Sequence, residues 1–548
     1  MKFFRKRVLT AEEKKENRHN RLLGLISGIF LGLSFPPFPF PYLMFAALVP
    51  YFFVIQKKEK LSQINRFTYF TAFFFNLIAL YWVGSWTKEA DTFLLISGAA
   101  LMFFNPLLFL IPSTLFYYAR KTFDLKTAFL LFPFFWVFYE YLYTLTDLRF
   151  PWLTLANGQA HFNLFIQIAD IIGAYGLSLL ILFANIYFFF GIKEIFATKK
   201  YFNRKLVIAL LIIIVPVIYG VYKRQSPVNS AKTIKVGLIQ PDLNPWLKWQ
   251  GGNLNQLTQK YIELSEEAVK GGAKLIVWPE SALPVYLLRG DYPFTVQTIR
   301  EFVNKNNIHL LTGMPDSQYY FDKTKAPSDA KKALNFDALY TTYNSVLLFK
   351  PNSIEVQKYG KIKLVPFGER VPFLEALPFL GDWLKWNVGI SSWNVGKAKT
   401  VFKLNDSTKV AGVICIESIY PDFVSEFVKE GAQLIAVVTN DSWYGYSSGP
   451  FQHKEISVLR AVENRRTVLR AANGGISCII DPSGNTIAST KLFTKDFLVG
   501  DAVLNDKITF YTSYPFIIPV LVCIVSLGMI IIFYINKYFN KNKNAELI

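Results

Sequence analysis

Apolar residues gather in long, nearly unbroken runs over the first two-fifths of the chain. They then alternate with polar ones at short period over the middle, and gather in one more long run near the end. The long runs cover 22–35, 42–55, 67–86, 93–118, 128–142, 164–192, 206–222 and 515–535. A membrane span needs about 20 predominantly apolar residues, so this pattern predicts about eight spans, of which the first, second and fifth need flanking aromatics to reach full thickness. The polar stretch 232–507 contains no span. Within it 233–240 (TIKVGLIQ), 274–278 (KLIVW), 309–313, 342–349, 409–415 and 433–439 read as buried strands. An amphipathic helix is predicted over 254–270, and a hairpin over 466–489 turning at Asp481-Pro482-Ser483-Gly484-Asn485. Segment 322–338, polar and rich in Ala and Lys, reads as a surface insertion. Strands alternating with helices favour an α/β domain with helix-covered sheets. The predicted organisation is a membrane domain of about seven helices over 1–230, a folded polar domain over 231–508, and a final span with a short basic tail over 509–548.

Composition agrees with a membrane location. Hydrophobic residues make up 52% of the 548 residues and aromatic ones 17%, while only 18% are charged, which excludes an ordinary soluble or disordered chain. Three cysteines exclude a disulfide scaffold, so a Cys in a chemical motif acts as a thiol. The net charge of +20 raises nucleic acid as a partner, and its distribution argues against one. Basic residues crowd the N-terminus (Lys2, Arg5, Lys6, Arg7), the second loop (Lys57, Lys58, Lys60, Arg66), the fourth (Arg120, Lys121, Lys126), the sixth (Lys193, Lys199, Lys200, Arg204, Lys205) and the tail (Lys537, Lys541, Lys543). The intervening connections are poor in positive charge. Lys and Arg near span ends stay cytoplasmic, so the polar domain is expected on the extracytoplasmic side, with no cleavable signal peptide.

Candidate chemistry sits where predicted strands end. Glu280 follows a hydrophobic strand in Trp278-Pro279-Glu280-Ser281, Lys361 follows the hairpin 342–359, and Cys415 ends the strand 409–415. A carboxylate, an ammonium and a thiol at separate strand ends can converge in one pocket, as open α/β sheets commonly arrange their sites. Such a set suits acyl transfer: the thiolate attacks a carbonyl, the carboxylate accepts the thiol proton, and the fixed cation stabilises the oxyanion. Taken singly, each has an ordinary alternative: a buried apolar Cys, a helix-terminal Glu, a solvated Lys. The four His show no zinc spacing and no phosphate-cradling Gly-Lys-Ser/Thr loop is present, so neither metal nor cofactor is expected. Arg465, Arg466 and Arg470 suit either lipid phosphate or a structural pairing with Glu463.

The words around these residues resemble the Glu, Lys and Cys blocks of the nitrilase superfamily: IVWPES at 276–281, YGKIKLVPFGE at 359–369 and VICIE at 413–417. More narrowly, the chain resembles the apolipoprotein N-acyltransferase family. Further matching blocks are Phe150-Pro151-Trp152-Leu153, Leu247-Lys248-Trp249, Asn440-Asp441-Ser442-Trp443-Tyr444, Gly449-Pro450-Phe451-Gln452-His453 and Asn473-Gly474-Gly475. The resemblance implies an αββα sandwich for the polar domain, with Glu280 as general base, Lys361 as oxyanion stabiliser and Cys415 as nucleophile. It implies supporting roles for Glu369 and Glu417, and substrate contacts at Trp249, Trp152 and the position of Ile416, where the family often carries an aromatic. It also implies a bacterial inner membrane, a phospholipid acyl donor such as phosphatidylethanolamine, and a diacylglyceryl apolipoprotein as acceptor.

Large apolar groups in 371–386 (VPFLEALPFLGDWLKW), Trp383 and Trp386 among them, suggest an arm dipping into lipid; a core-packing helix is the alternative. Two other functions fit parts of the pattern: a membrane-tethered carbon–nitrogen hydrolase using the same triad, and a transporter or receptor with a ligand-binding domain. The second would need intramembrane charges at a midplane site, and Asp170 and Glu140 are the main ones, near span ends.

Overall fold

The computed structural model describes residues 10–85, 92–225, 232–249, 253–373 and 393–545. Among these, six helices are long and apolar enough to cross a membrane: Leu61–Gly84, Leu94–Thr122, Leu125–Leu145, Ala169–Thr198, Arg204–Gln225 and Ile517–Tyr538. They cover six of the apolar runs. The run 22–35 is instead the end of a longer helix, Ala11–Leu33, whose charged first turns are fixed by Thr10, which caps Glu13 and is capped by it in return. The run 42–55 is broken into a 3-10 turn, Pro41–Phe45, and a short helix, Val49–Ile55, with a proline in the first turn of each.

The polar domain is a stack of two sheets. In chain order its strands are β1 (Thr233–Gln240), β2 (Leu275–Trp278), β3 (His309–Tyr320), β4 (Lys331–Lys332), β5 (Leu339–Phe349), β6 (Val356–Gly360), β7 (Val401–Lys403), β8 (Lys409–Ile414), β9 (Leu434–Thr439), β10 (Thr467–Ala472), β11 (Cys478–Ile480), β12 (Thr486–Ser489) and β13 (Asp496–Val503). The first sheet runs β13-β1-β2-β3-β5-β4, with β6 also on β5; the second runs β12-β11-β10-β9-β8-β7. The centres are parallel, β1 with β2 and β2 with β3 in one sheet, β8 with β9 and β9 with β10 in the other.

Alternation along the strands explains the layering. In β2, Leu275 and Val277 join the core between the sheets, while Ile276 and Trp278 join a second core beneath the helices Leu254–Lys270 and Pro293–Asn306. In β5, Val346 and Leu348 face the first core and Leu347 and Phe349 the second. Both faces are covered, so these strands read as apolar runs without visible alternation. Pro421–Lys429 and Gly449–Asn464 pack on the outside of the second sheet, completing an αββα sandwich.

Two expectations need correction. The region 466–489 is not one hairpin but a three-strand meander: β10 pairs in parallel with β9 and antiparallel with β11, and β11 pairs antiparallel with β12 across the predicted turn, which Asp481 holds by accepting from the Ser483 and Asn485 N–H groups. The insertion 322–338 is partly built into the sheet, since Lys331 and Lys332 pair with Tyr340 and Leu339.

The sandwich is fastened to the membrane helices through buried polar groups. Arg465 forms an ion pair with Asp170 at 2.8 Å and donates to Gln167, and Glu463 accepts from the Ala174 N–H at 2.9 Å. Gln452 accepts from the indole N–H groups of Trp152 (2.7 Å) and Trp82 (3.2 Å), and its amide donates to the Ala79 carbonyl at 3.0 Å. Asp170 is thereby used in assembly. Glu140 likewise accepts from the Leu155 N–H at 2.9 Å and from Trp136 at 3.2 Å. Gln452→Leu strips the buried Trp152 N–H of this acceptor, at about 1–3 kcal/mol for a donor left unmet, while Trp82 keeps its bond to the Ala79 carbonyl. The expected outcome is a drop of several degrees in the melting temperature of the detergent-solubilised protein; an unchanged value would mean that the junction adds no stability.

Candidate active site

Three strand ends converge where the two sheets meet. β2 stops at Trp278 because Pro279 cannot continue the ladder, and Glu280 follows at once. The neighbouring strand passes very close: a Cβ on Gly313 would lie 2.6 Å from the Glu280 Cα. Lys361 follows β6, its N–H bonded to the Asn344 carbonyl and its carbonyl taking the Gly396 N–H, both at 2.8 Å. A Cβ on Gly396 would fall 1.9 Å from the Gly360 oxygen, so only glycine allows that approach. Cys415 comes straight after β8 with φ of +48°, a left-handed turn that lifts the half-buried thiol out of the strand line.

The Lys361 ammonium is 1% exposed and lies 2.8 Å from Glu369 Oε1 and 3.2 Å from Glu280 Oε1. Asn344 donates from Nδ2 to the same two oxygens, at 2.7 Å to Glu280 and 2.9 Å to Glu369. Glu369 Oε2 is held by the Val365 N–H at 2.8 Å. Burial works against a charged Lys361, but the two carboxylates win and hold its pKa well above the ordinary lysine value. The arithmetic agrees: a pair at about 3 Å gains roughly 5 kcal/mol at an effective dielectric of 20, and two such pairs exceed a desolvation cost of several kcal/mol. Cys415 shows the opposite balance. Burial pushes its thiol up, Glu280 adds to that, and Lys361 only partly offsets it, so the resting group is a thiol and needs a base.

Glu417, fully buried, joins the Lys361 loop to the Cys415 turn. Its Oε1 accepts from the N–H groups of Ile362 (2.7 Å) and Lys363 (3.1 Å) and from the Tyr359 hydroxyl (2.7 Å); its Oε2 accepts from the Ile414 N–H at 2.9 Å. Burial raises its pKa despite these donors.

The other expected contacts fall at different depths. Trp249 is half-buried at the end of the short turn Pro245–Lys248. Trp152 is 4% exposed, with its indole N–H engaged by Gln452; it packs against Trp82 and Phe150 in the seam to the membrane helices and offers no open face. Ile416 is 3% exposed and belongs to the core between the sheets, because the left-handed Cys415 turns the next side chain inward. Trp383 and Trp386 lie outside the described residues. The three arginines are partnered within the protein: Arg465 with Asp170, Arg466 with the carbonyls of Ala432 and Lys507, Arg470 with Asp441. Glu463 pairs instead with Arg460.

Sequence reasoning gave no role to Asn344, Lys248, Asp441 or His453. Asn344 was legible as a lone amide in a buried strand, and the other three stood inside matching blocks. The Lys248 ammonium is buried and meets no hydrogen-bond partner among the described residues; burial drives its pKa down to about 7, partly offset by Glu280.

Residues 235–508 match the carbon-nitrogen hydrolase family, and residues 27–187 match the apolipoprotein N-acyltransferase N-terminal domain. The chain is similar to the apolipoprotein N-acyltransferase of Chlorobaculum tepidum, 36% identical over 511 residues, covering 91% of this chain and 93% of that protein. It is also similar to that of Geobacter metallireducens, 31% identical over 505 residues, covering 91% and 92%. Among solved structures, Saccharomyces cerevisiae Nit3 of the nitrilase superfamily aligns with 53% of this chain and 98% of its own, at 17% identity and a TM-score of 0.37.

Glu417→Gln turns one acceptor oxygen into a donor amide facing N–H groups, whichever way the amide is flipped. A destabilisation of about 2–4 kcal/mol is expected, since buried groups lose partners on both sides. Thermal unfolding in detergent checks it, and a variant that melts with the wild type would contradict the clamp.

Proposed function

The chain belongs to the apolipoprotein N-acyltransferase family, and from that membership we propose how Glu280, Lys361 and Cys415 carry out acyl transfer in this protein. It is a multi-pass membrane enzyme that acylates lipoprotein substrates from membrane lipid. In the first half-reaction Cys415 Sγ attacks an ester carbonyl of a phospholipid, while Glu280 takes the thiol proton and Lys361 stabilises the oxyanion. The tetrahedral adduct collapses to a thioester. Glu280 returns its proton to the departing oxygen, and a lysophospholipid leaves. In the second half-reaction the neutral α-amine of a diacylglyceryl-cysteine attacks the thioester, Glu280 takes a proton from nitrogen, and collapse breaks the carbon–sulfur bond to give the amide, with Glu280 returning that proton to the Cys415 sulfur to restore the free thiol. Glu369 fixes the ammonium of Lys361, and Glu417 fixes the loop that carries it.

The observation that supports this reading most is the buried Lys361 ammonium shared by Glu280 and Glu369, one strand end away from a thiol whose pKa is raised by burial and by Glu280. A protonated thiol beside a carboxylate needs proton transfer in step with attack, which Glu280 supplies. Phosphatidylethanolamine is the proposed donor. The sandwich is proposed to face the periplasm from the inner membrane, where exported lipoproteins arrive. Trp249, the position of Ile416, Trp152, Trp383 and Trp386 are proposed to serve substrate: Trp249 and the two arm tryptophans by direct contact, Trp152 and Ile416 by shaping the walls behind it.

Incubating purified protein with phospholipid and a diacylated lipopeptide tests the reaction. The expected products are N-acylated peptide and lysophospholipid in equal amounts; steady release of free fatty acid with no acylated peptide would identify a hydrolase. Cys415→Ala should abolish transfer, Glu280→Gln should cost a factor of about 10² to 10⁴, and Lys361→Ala about 10² to 10³. Near-normal transfer by Cys415→Ala would remove the nucleophile assignment. For orientation, a reporter active only in the cytoplasm, fused within the turn at Asn485, should stay silent; strong activity would reverse the proposed topology.

A further inference from the structure

Cys415 adopts a backbone conformation that costs a residue with a Cβ about 1–2 kcal/mol, so its surroundings must hold it there. Glu417 accounts for the side of the turn that faces Lys361. The other side is held by a buried ring of polar groups that the chemistry above does not use. The Ser418 hydroxyl lies 2.8 Å from the Cys415 carbonyl and 2.9 Å from His453 Nε2 and shares its one hydrogen between them, the two acceptors being 3.2 Å apart. His453 Nδ1 lies 2.9 Å from Asp441 Oδ1. Thr439 donates to the same Oδ1 at 3.0 Å. Arg470 pairs with Asp441 Oδ2. The ring thus reaches from the Arg470–Asp441 pair through His453 and Ser418 to the Cys415 carbonyl.

We propose that His453, oriented by Asp441, is a positioning residue that fixes the backbone turn of Cys415, and through it the thiol, in the attacking geometry. Asp441 fixes the tautomer: an ionised carboxylate needs a donor, so Nδ1 carries hydrogen, and Nε2 keeps the lone pair that accepts from the Ser418 hydroxyl inside the Cys415 turn. The imidazole is 3% exposed and Asp441 2%, so water does not substitute for either contact. Arg470 and His453 hold the Asp441 carboxyl well below the usual range despite its burial, which keeps it an acceptor. The ring also ties to the membrane helices. His453 follows Gln452 on the helix Gly449–Asn464, and its ring lies 5.5 Å from that of Trp152, so the residue that grips the tryptophans and the residue that grips the nucleophile are chain neighbours. Misplacing a reacting atom by about 1 Å can cost on the order of 10²-fold in rate, which is the scale of effect a positioning residue controls.

This inference rests on Cys415 being the acylated nucleophile, and the wild-type arm of the test checks that separately. The rate of acyl-thioester formation is measured by intact mass with phosphatidylethanolamine in mixed micelles, resolved into kcat and KM, alongside melting temperature. His453→Asn keeps a donor for Asp441 but falls short of the turn; His453→Gln reaches the turn but releases Asp441. The expected result is a fall in kcat of about 10- to 100-fold for His453→Asn with KM within about twofold, and partial recovery for His453→Gln. A wild-type kcat in His453→Asn, equal losses in both variants, or a loss confined to KM would overturn the positioning role. If neither variant folds, Ser418→Ala removes one hydroxyl from the same ring: slower acylation at unchanged KM supports the proposal, and a wild-type rate overturns it. Absence of any adduct in the wild type would instead defeat the assignment of Cys415.

Discussion

A lysine ammonium that is almost completely buried needs anions around it, and the site is organised by that requirement. Lys361 is held between Glu280 and Glu369, and Asn344 donates to the same two carboxylate oxygens. The loop that delivers it depends on Gly396 for a close approach and on Glu417 for its N–H groups. Removing a member of this set leaves a buried charge uncompensated, the costliest kind of defect in a protein interior. Burial and the Glu280 charge, only partly offset by Lys361, keep the nearby thiol protonated, so the proposed nucleophile and base have to act together.

The second constraint is that the partners come from different sheets. Glu280, Asn344 and Lys361 are carried by the first sheet and Cys415 by the second. The sandwich therefore has to be closed before the site exists. Glu417 spans that seam, with donors from the Lys361 loop on one oxygen and from β8 on the other. Behind Cys415 the Asp441–His453 contact and the neighbouring Gln452 extend the same logic to the membrane helices. A catalytic fold fixed to lipid-embedded helices meets lipid substrates by lateral diffusion, which spares the cost of drawing acyl chains into water.

Much of this was legible in the sequence where local chemistry dominates. The helix Leu254–Lys270 appears at the predicted residues because its apolar stripe and its Asn253 cap are local signals. Glu280, Lys361 and Cys415 could be singled out because each stands where a predicted strand or hairpin ends. What the sequence concealed was set by tertiary contact. Trp152 and Ile416 looked like surfaces for substrate, and both are buried because the Gln452 junction and the left-handed Cys415 turn draw them inward. The short second apolar run hid its break, since Pro41 and Pro50 are tolerated in first helical turns and read as continuous hydrophobic sequence. The roles of Asn344, Asp441 and His453 depend on partners 12 to 64 residues away, and no spacing rule reaches them.

The central claim is that acyl transfer passes through Cys415 under cover of this buried network. Intact-mass measurement of the wild-type protein after exposure to phospholipid alone, followed by peptide mapping, addresses it most directly. The account predicts one acyl group per chain, located on Cys415, stable until a diacylated lipopeptide is added and then discharged onto the peptide. An unmodified Cys415 in protein that nevertheless acylates the lipopeptide would contradict it.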